Sequence, residues 1–213
     1  MKYILTYILA STLWLSGTAQ HKFYDEVKAF AKEDAVINKN NIILFTGSST
    51  IRMWKDITTD FPKFNVLNRG FGGSQTTDLL YYVHELIISY QPRQIFIYEG
   101  DNDLGAGKTA EEILAVNDSI VGAIRGNGLK AQVFFISPKP SIARWHLKDK
   151  YERYNQQLKV WAAKQKDVAF IDVFTPMLDA QGKLQKDLFL DDGLHMTRKG
   201  YEIWIKVLEK YLR

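Results

Sequence analysis

The chain has 213 residues, 46% of them apolar and 13% aromatic, with 28 Lys and Arg set against 24 Asp and Glu and no cysteine. That length fills one well-packed core and is short for two. The missing thiols exclude disulfide scaffolds, thiolate metal centres, cysteine nucleophiles and lipid-modified cysteines. The net charge of +4 comes from acids and bases interspersed along the sequence, without the concentrated basic footprint that a nucleic acid partner calls for.

The first predicted element is not part of the fold. Lys2 supplies a positive start, residues 3–15 are apolar, and Ser16-Gly17-Thr18-Ala19 ends in small side chains suited to a signal peptidase. A membrane span needs roughly twenty apolar residues, so no stable membrane insertion is expected. Residues 1–19 therefore read as a signal peptide cleaved after Ala19, ahead of one domain over residues 20–213. Such a product is expected outside the cytoplasm, in a periplasm or secreted.

Beyond residue 20 the pattern alternates. A helix is expected at 22–32, then apolar runs of strand length at 41–46, 64–67, 94–98, 131–136 and 168–173. Near-continuous apolar strands suit a parallel sheet covered on both faces. Between them, Leu79, Leu80, Val83, Leu86, Ile87 and Tyr90 recur at helical spacing, as do Ile113, Leu114, Asn117, Ile120, Val121 and Ile124. Thr109 and Glu112 form a capping box ahead of the second set. Further helices are expected at 147–164 and 198–212. Five strands alternating with helices predict a single doubly wound three-layer α/β domain, with a five-stranded parallel sheet in the flavodoxin-like order 2-1-3-4-5.

Ligands of such sheets sit beyond the carboxyl ends of the strands, so the residues that follow each strand deserve scrutiny. After strand one comes Gly47-Ser48-Ser49; after strand two, Asn68-Arg69-Gly70-Phe71-Gly72-Gly73-Ser74; after strand three, Gly100-Asp101-Asn102-Asp103; and beyond strand five, Asp192 and His195. Singly, each has a plain structural explanation: a helix cap, a tight turn, a polar loop, a surface pair. Together they supply a hydroxyl nucleophile, a base with its orienting acid, and amide donors.

These blocks, in this order, resemble those of the SGNH or GDSL hydrolase superfamily, and more closely its platelet-activating-factor-acetylhydrolase-like branch. The resemblance extends from about Asn41 to Tyr201 and departs from the Gly-Asp-Ser pattern at Ser48, where the family has aspartate. It implies Ser49 as the nucleophile, Asp192 and His195 as its partners, and an oxyanion hole from Ser49, Gly73 and Asn102, with Gly72 as the alternative glycine. It also places segments such as those bearing Trp54 and Trp145 along a substrate groove. Arg52, Arg69 and Arg144 stand either against an acidic or sugar-like substrate or in structural ion pairs.

The chemistry is consistent with that assignment. A serine hydroxyl needs a base, which His195 provides; Asp192, three residues earlier, fixes the imidazole tautomer. Ser49 opens a helix, where free amides favour negative charge. Asp101 and Asp103 flank Asn102 and are expected to point elsewhere. Asp101, Asp103, Thr109 and Glu112 mimic part of a calcium loop, but Gly105 offers no ligand and Ala106 replaces the required glycine. His21, His84 and His146 lack metal-ligand spacing, so neither metal nor cofactor is expected. The expected enzyme is an exported serine esterase acting on short-chain, foremost acetyl, esters of a small molecule or carbohydrate. Its alternatives are a lysophospholipase or thioesterase of the same fold, a flavin- or phosphate-binding module, and a silent carbohydrate-binding relative.

Overall fold

The computed structural model describes residues 21–213, so the expected signal segment lies outside the described residues. Strands β1 (Ile43–Gly47), β2 (Val66–Gly70), β3 (Gln94–Tyr98), β4 (Gln132–Ile136) and β5 (Val168–Ile171) pair in parallel in the order β2-β1-β3-β4-β5. Both β1 and β3 are buried along their whole length, which is why their sequences show no polar alternation.

Helices cover both faces. Odd and even strand positions point to opposite sides, so Leu44, Ile95, Ile97, Val133 and Phe135 face one layer while Ile43, Phe45, Phe96, Phe134 and Ile136 face the other. The first layer holds α1 (Tyr24–Glu33), α4 (Thr76–Tyr81), α5 (Val83–Leu86), α7 (Ala110–Gly126) and α8 (Lys148–Ala162). Opposite lie α2 (Ser49–Arg52), α3 (Ile57–Asp60) and α9 (Arg198–Leu208). On that side the register Phe45, Phe96, Phe134 sets three rings in line, stacked at centroid distances of 4.5 and 4.6 Å.

The expected helix at 79–90 is broken. Tyr82 leaves helical geometry between α4 and α5, turning its ring onto Phe71 and donating its hydroxyl to the Lys22 carbonyl. A tertiary contact thus overrides a local periodicity. The Thr109 capping box is present, with reciprocal bonds to and from Glu112 at α7. Asp103 is committed to the Thr76 amide and hydroxyl and to Lys108, so the calcium-like spacing has a structural use. Among the described residues no helix is long and apolar enough to cross a membrane.

Candidate active site

Gly47 ends β1 at φ +121°, and a Cβ there would lie 2.0 Å from the Tyr98 carbonyl oxygen. Only glycine permits the close approach in which Ser48 N–H donates to that carbonyl and the chain turns into α2. Ser49 is the first residue of this short helix. From the opposite end of the chain, the turn before α9 delivers the histidine. Gly193 at φ +64° tightens it, and Asp192 Oδ1 accepts the amides of Leu194 and His195 at 2.8 and 2.9 Å.

The three side chains meet. Ser49 Oγ lies 2.9 Å from His195 Nε2, and His195 Nδ1 lies 2.6 Å from Asp192 Oδ2. The hydrogen bond from His195, joined by the two backbone amides, outweighs partial burial and holds the Asp192 carboxyl at about 2. An ionised carboxylate facing Nδ1 fixes the imidazole proton there, leaving Nε2 to accept from the serine hydroxyl. Asp192 is 46% exposed, so the relay opens to solvent on its acid side.

Asn102 stands in α6 (Asp101–Gly105). Its Nδ2 donates one hydrogen to the Ser74 carbonyl at 2.9 Å and keeps a second. A Cβ on Gly73 would lie 3.8 Å from that same nitrogen, and Gly73 is exposed. By contrast the Gly72 amide is taken by Glu26 Oε2 at 2.9 Å, and its Cα faces the Phe23 ring. Of the two glycines, Gly73 is the one beside the asparagine.

Two expected groove residues are not at a groove. Trp54 is 1% exposed, packed among Phe45, Phe61, Tyr201 and Trp204, with Nε1 donating to Asp60 Oδ2. Arg69 is 2% exposed; it pairs with Asp34 and Glu33 and donates to the Tyr90 hydroxyl, so its charge ties β2 to α1. A guanidinium buried and paired in this way is turned from any substrate. Trp145 is half-buried in a 3-10 turn (Trp145–Leu147), in the segment that runs between Asn102 and the His195 loop. Arg52 is half-exposed beside Glu26.

Asp101, expected to point elsewhere than the oxyanion site, faces inward. At 4% exposure it accepts from the hydroxyls of Tyr98 and Tyr151 and from Arg144, with Lys139 Nζ at 3.7 Å. Burial alone would raise its pKa; Lys139 and Arg144, followed by the two phenols, more than offset that and keep it below the usual carboxylate range. Lys139, wholly buried, donates to the Leu194 carbonyl at 2.6 Å, one residue before His195. It follows β4, ahead of Arg144 and Trp145 in the same segment. Arg144 Nη2 donates to Asn102 Oδ1 at 2.9 Å, a long-range contact with no local signature. Among the described residues no three His, Asp or Glu side chains are grouped to hold a metal ion.

Several known proteins share this architecture. A Streptococcus pneumonia protein named as a platelet activating factor superposes with TM-score 0.79 at 24% identity, covering 89% of this chain and 92% of that one. A GDSL-like lipase from Bacteroides thetaiotaomicron gives 0.73 at 20%, covering 87% and 96%. An acetylxylan esterase from Geobacillus stearothermophilus, in a catalytic mutant, gives 0.69 at 16%, covering 82% and 94%. At these identities the likeness shows the fold. No curated protein matches the chain. The model of the GDSL-like lipase/acylhydrolase family matches residues 46–203, from the end of β1 into α9, which is most of the chain. The chain therefore belongs to the GDSL-like lipase/acylhydrolase family, whose members are esterases and lipases.

Proposed function

We propose that this chain is an exported serine esterase that removes short acyl groups, acetyl foremost, from a carbohydrate through an acyl-enzyme. The observation that carries the reading is the unbroken hydrogen-bonded line from Ser49 through His195 to Asp192. In the forward step Ser49 Oγ attacks the ester carbonyl while its proton passes to His195 Nε2. The carbonyl oxygen, now negative, is received by the Ser49 and Gly73 amides and the free Nδ2 hydrogen of Asn102. His195 returns its proton to the departing alcohol. Water then repeats the sequence against the acyl-serine, with His195 again as base.

An open site favours a small acyl group on a bulky alcohol. Asp192 and Ile142 are exposed at its rim. The acetylxylan esterase that shares the fold supports the carbohydrate assignment, and its catalytic mutants replace a serine or a histidine. Residues 1–19 support export.

Ser49→Ala should lower turnover of p-nitrophenyl acetate by about 10⁴ or more with the thermal melt unchanged, and a fluorophosphonate should label wild type at Ser49 alone. Activity should decline along p-nitrophenyl acyl chains of increasing length and be present on acetylated xylo-oligosaccharides. Labelling at Ser48, or full activity in Ser49→Ala, would remove the assignment. N-terminal sequencing of protein recovered outside the cytoplasm should begin at Gln20.

A further inference from the structure

Asn102 is useful as an oxyanion donor only in one of its two amide orientations, since a flipped side chain would present a carbonyl oxygen to developing negative charge. Two bonds oppose the flip. Nδ2 donates to the Ser74 carbonyl, and Oδ1 accepts from Arg144 Nη2. The second is the charged one. Reversing the amide would set its NH₂ against a guanidinium and leave a cation facing donors.

We infer that Arg144 is a positioning residue for the oxyanion site: anchored on buried Asp101, its guanidinium orients the Asn102 amide and strengthens the amide as a donor. This rests on the serine-esterase reading and deepens it. Arg144 Nη1 bonds both the backbone carbonyl and the carboxylate of Asp101, so the two ends of the fork hold adjacent residues of α6. A cation drawing on Oδ1 leaves more positive charge on the Nδ2 hydrogens. The surroundings preserve the arrangement. A Cβ on Gly105 would lie 3.0 Å from the guanidinium carbon, so glycine there leaves room for the fork. Tyr151 donates to the same Asp101 oxygen as Arg144, Tyr98 holds the other, and Lys139 joins the same anion to the carbonyl preceding His195. One buried carboxylate thereby ties the support of the oxyanion donor to the support of the base.

The test is steady-state hydrolysis of p-nitrophenyl acetate by Arg144→Lys, Arg144→Ala, Asn102→Ala and the double variant Asn102→Ala/Arg144→Lys, with melts recorded for each. Arg144→Lys keeps a counter-charge for Asp101, so it should fold, yet a single ammonium cannot span Asp101 and Asn102 as the fork does. The expected result for either arginine variant is a kcat lower by about 10- to 100-fold with KM within about twofold. In the Asn102→Ala background, Arg144→Lys should change kcat by less than about threefold, because the group it acts through is gone. Losses that multiply in the double variant would assign Arg144 a merely structural part and overturn the inference. So would normal kcat in Arg144→Lys beside a crippled Asn102→Ala, which leaves the esterase reading intact. An Asn102→Ala enzyme with undiminished kcat would overturn the oxyanion assignment itself, and this inference with it.

Discussion

Trp54 follows Ser49 by five residues, yet its indole points away from the site into the aromatic layer and bonds Asp60. Burial alone would raise the pKa of Asp60, but the bonds from Arg198 and Trp54 prevail and lower it. Trp54→Ala should cost about 3 to 5 kcal/mol in urea unfolding, with KM of the surviving enzyme unchanged. Trp145→Ala should do the reverse, raising KM for an acetylated oligosaccharide with little loss of stability; a KM unaltered on such a substrate would take Trp145 out of the groove. Glu99 gives a pH-dependent case. Burial pushes this carboxyl well above its ordinary 4.5, although the Ser74 bond pulls the other way. The folded state keeps it neutral while the unfolded chain ionises it, so wild-type stability declines as pH rises above the ordinary value. Glu99→Gln, always neutral, should therefore gain in melting temperature over wild type as pH rises from about 4 to 8, with the difference vanishing at the acid end. The grouping of Ser49, Asp192 and His195 could be read in the sequence because strand ends are where this sheet type gathers its polar groups. The side chains of Trp54, Arg69 and Asp101 could not, because proximity in sequence to a strand end does not say which way a residue faces.

At the scale of elements, the strands and their order were legible from apolar runs, and the capping box of α7 from four residues. The α4–α5 break was not, since it depends on Tyr82 finding Phe71 and the Lys22 carbonyl across the fold. The β1-to-α2 turn is the least tolerant junction. With φ +121° and a would-be Cβ 2.0 Å from the Tyr98 oxygen, Gly47→Ala must separate β1 from β3 or lose the turn. It should be recovered unfolded or with a markedly lowered melt, and circular dichroism of purified protein would show which. A Gly47→Ala protein with wild-type melt and activity would contradict the geometry. Helix α1 has a second task besides covering the sheet, because Glu26 occupies the Gly72 amide and so leaves Gly73 as the exposed glycine of the pair.

For the molecule as a whole, the depressed carboxyls set the acid limit. Asp60 and Asp101 lie below the usual 3.8 in the folded state, so they add stability above that value and lose it as pH falls through their folded values. The part of the melting temperature owed to these two carboxyls should stay level from neutrality to about pH 5 and fall away below about pH 4, set against the opposite slope that Glu99 contributes. Dialysis against a chelator should leave the rate unchanged, because amides supply the electrophilic help. The last helix has a consequence in time. Tyr201 of α9 donates its hydroxyl to the Thr50 carbonyl, one residue past Ser49, and Trp204 packs on Trp54 beneath the same turn. Both bracing residues follow Ser49, Asp192 and His195 in the order of synthesis. A chain truncated after Thr197 would thus carry all three side chains without that brace and should fail to take a fluorophosphonate, so that reactivity waits on the final turns of helix.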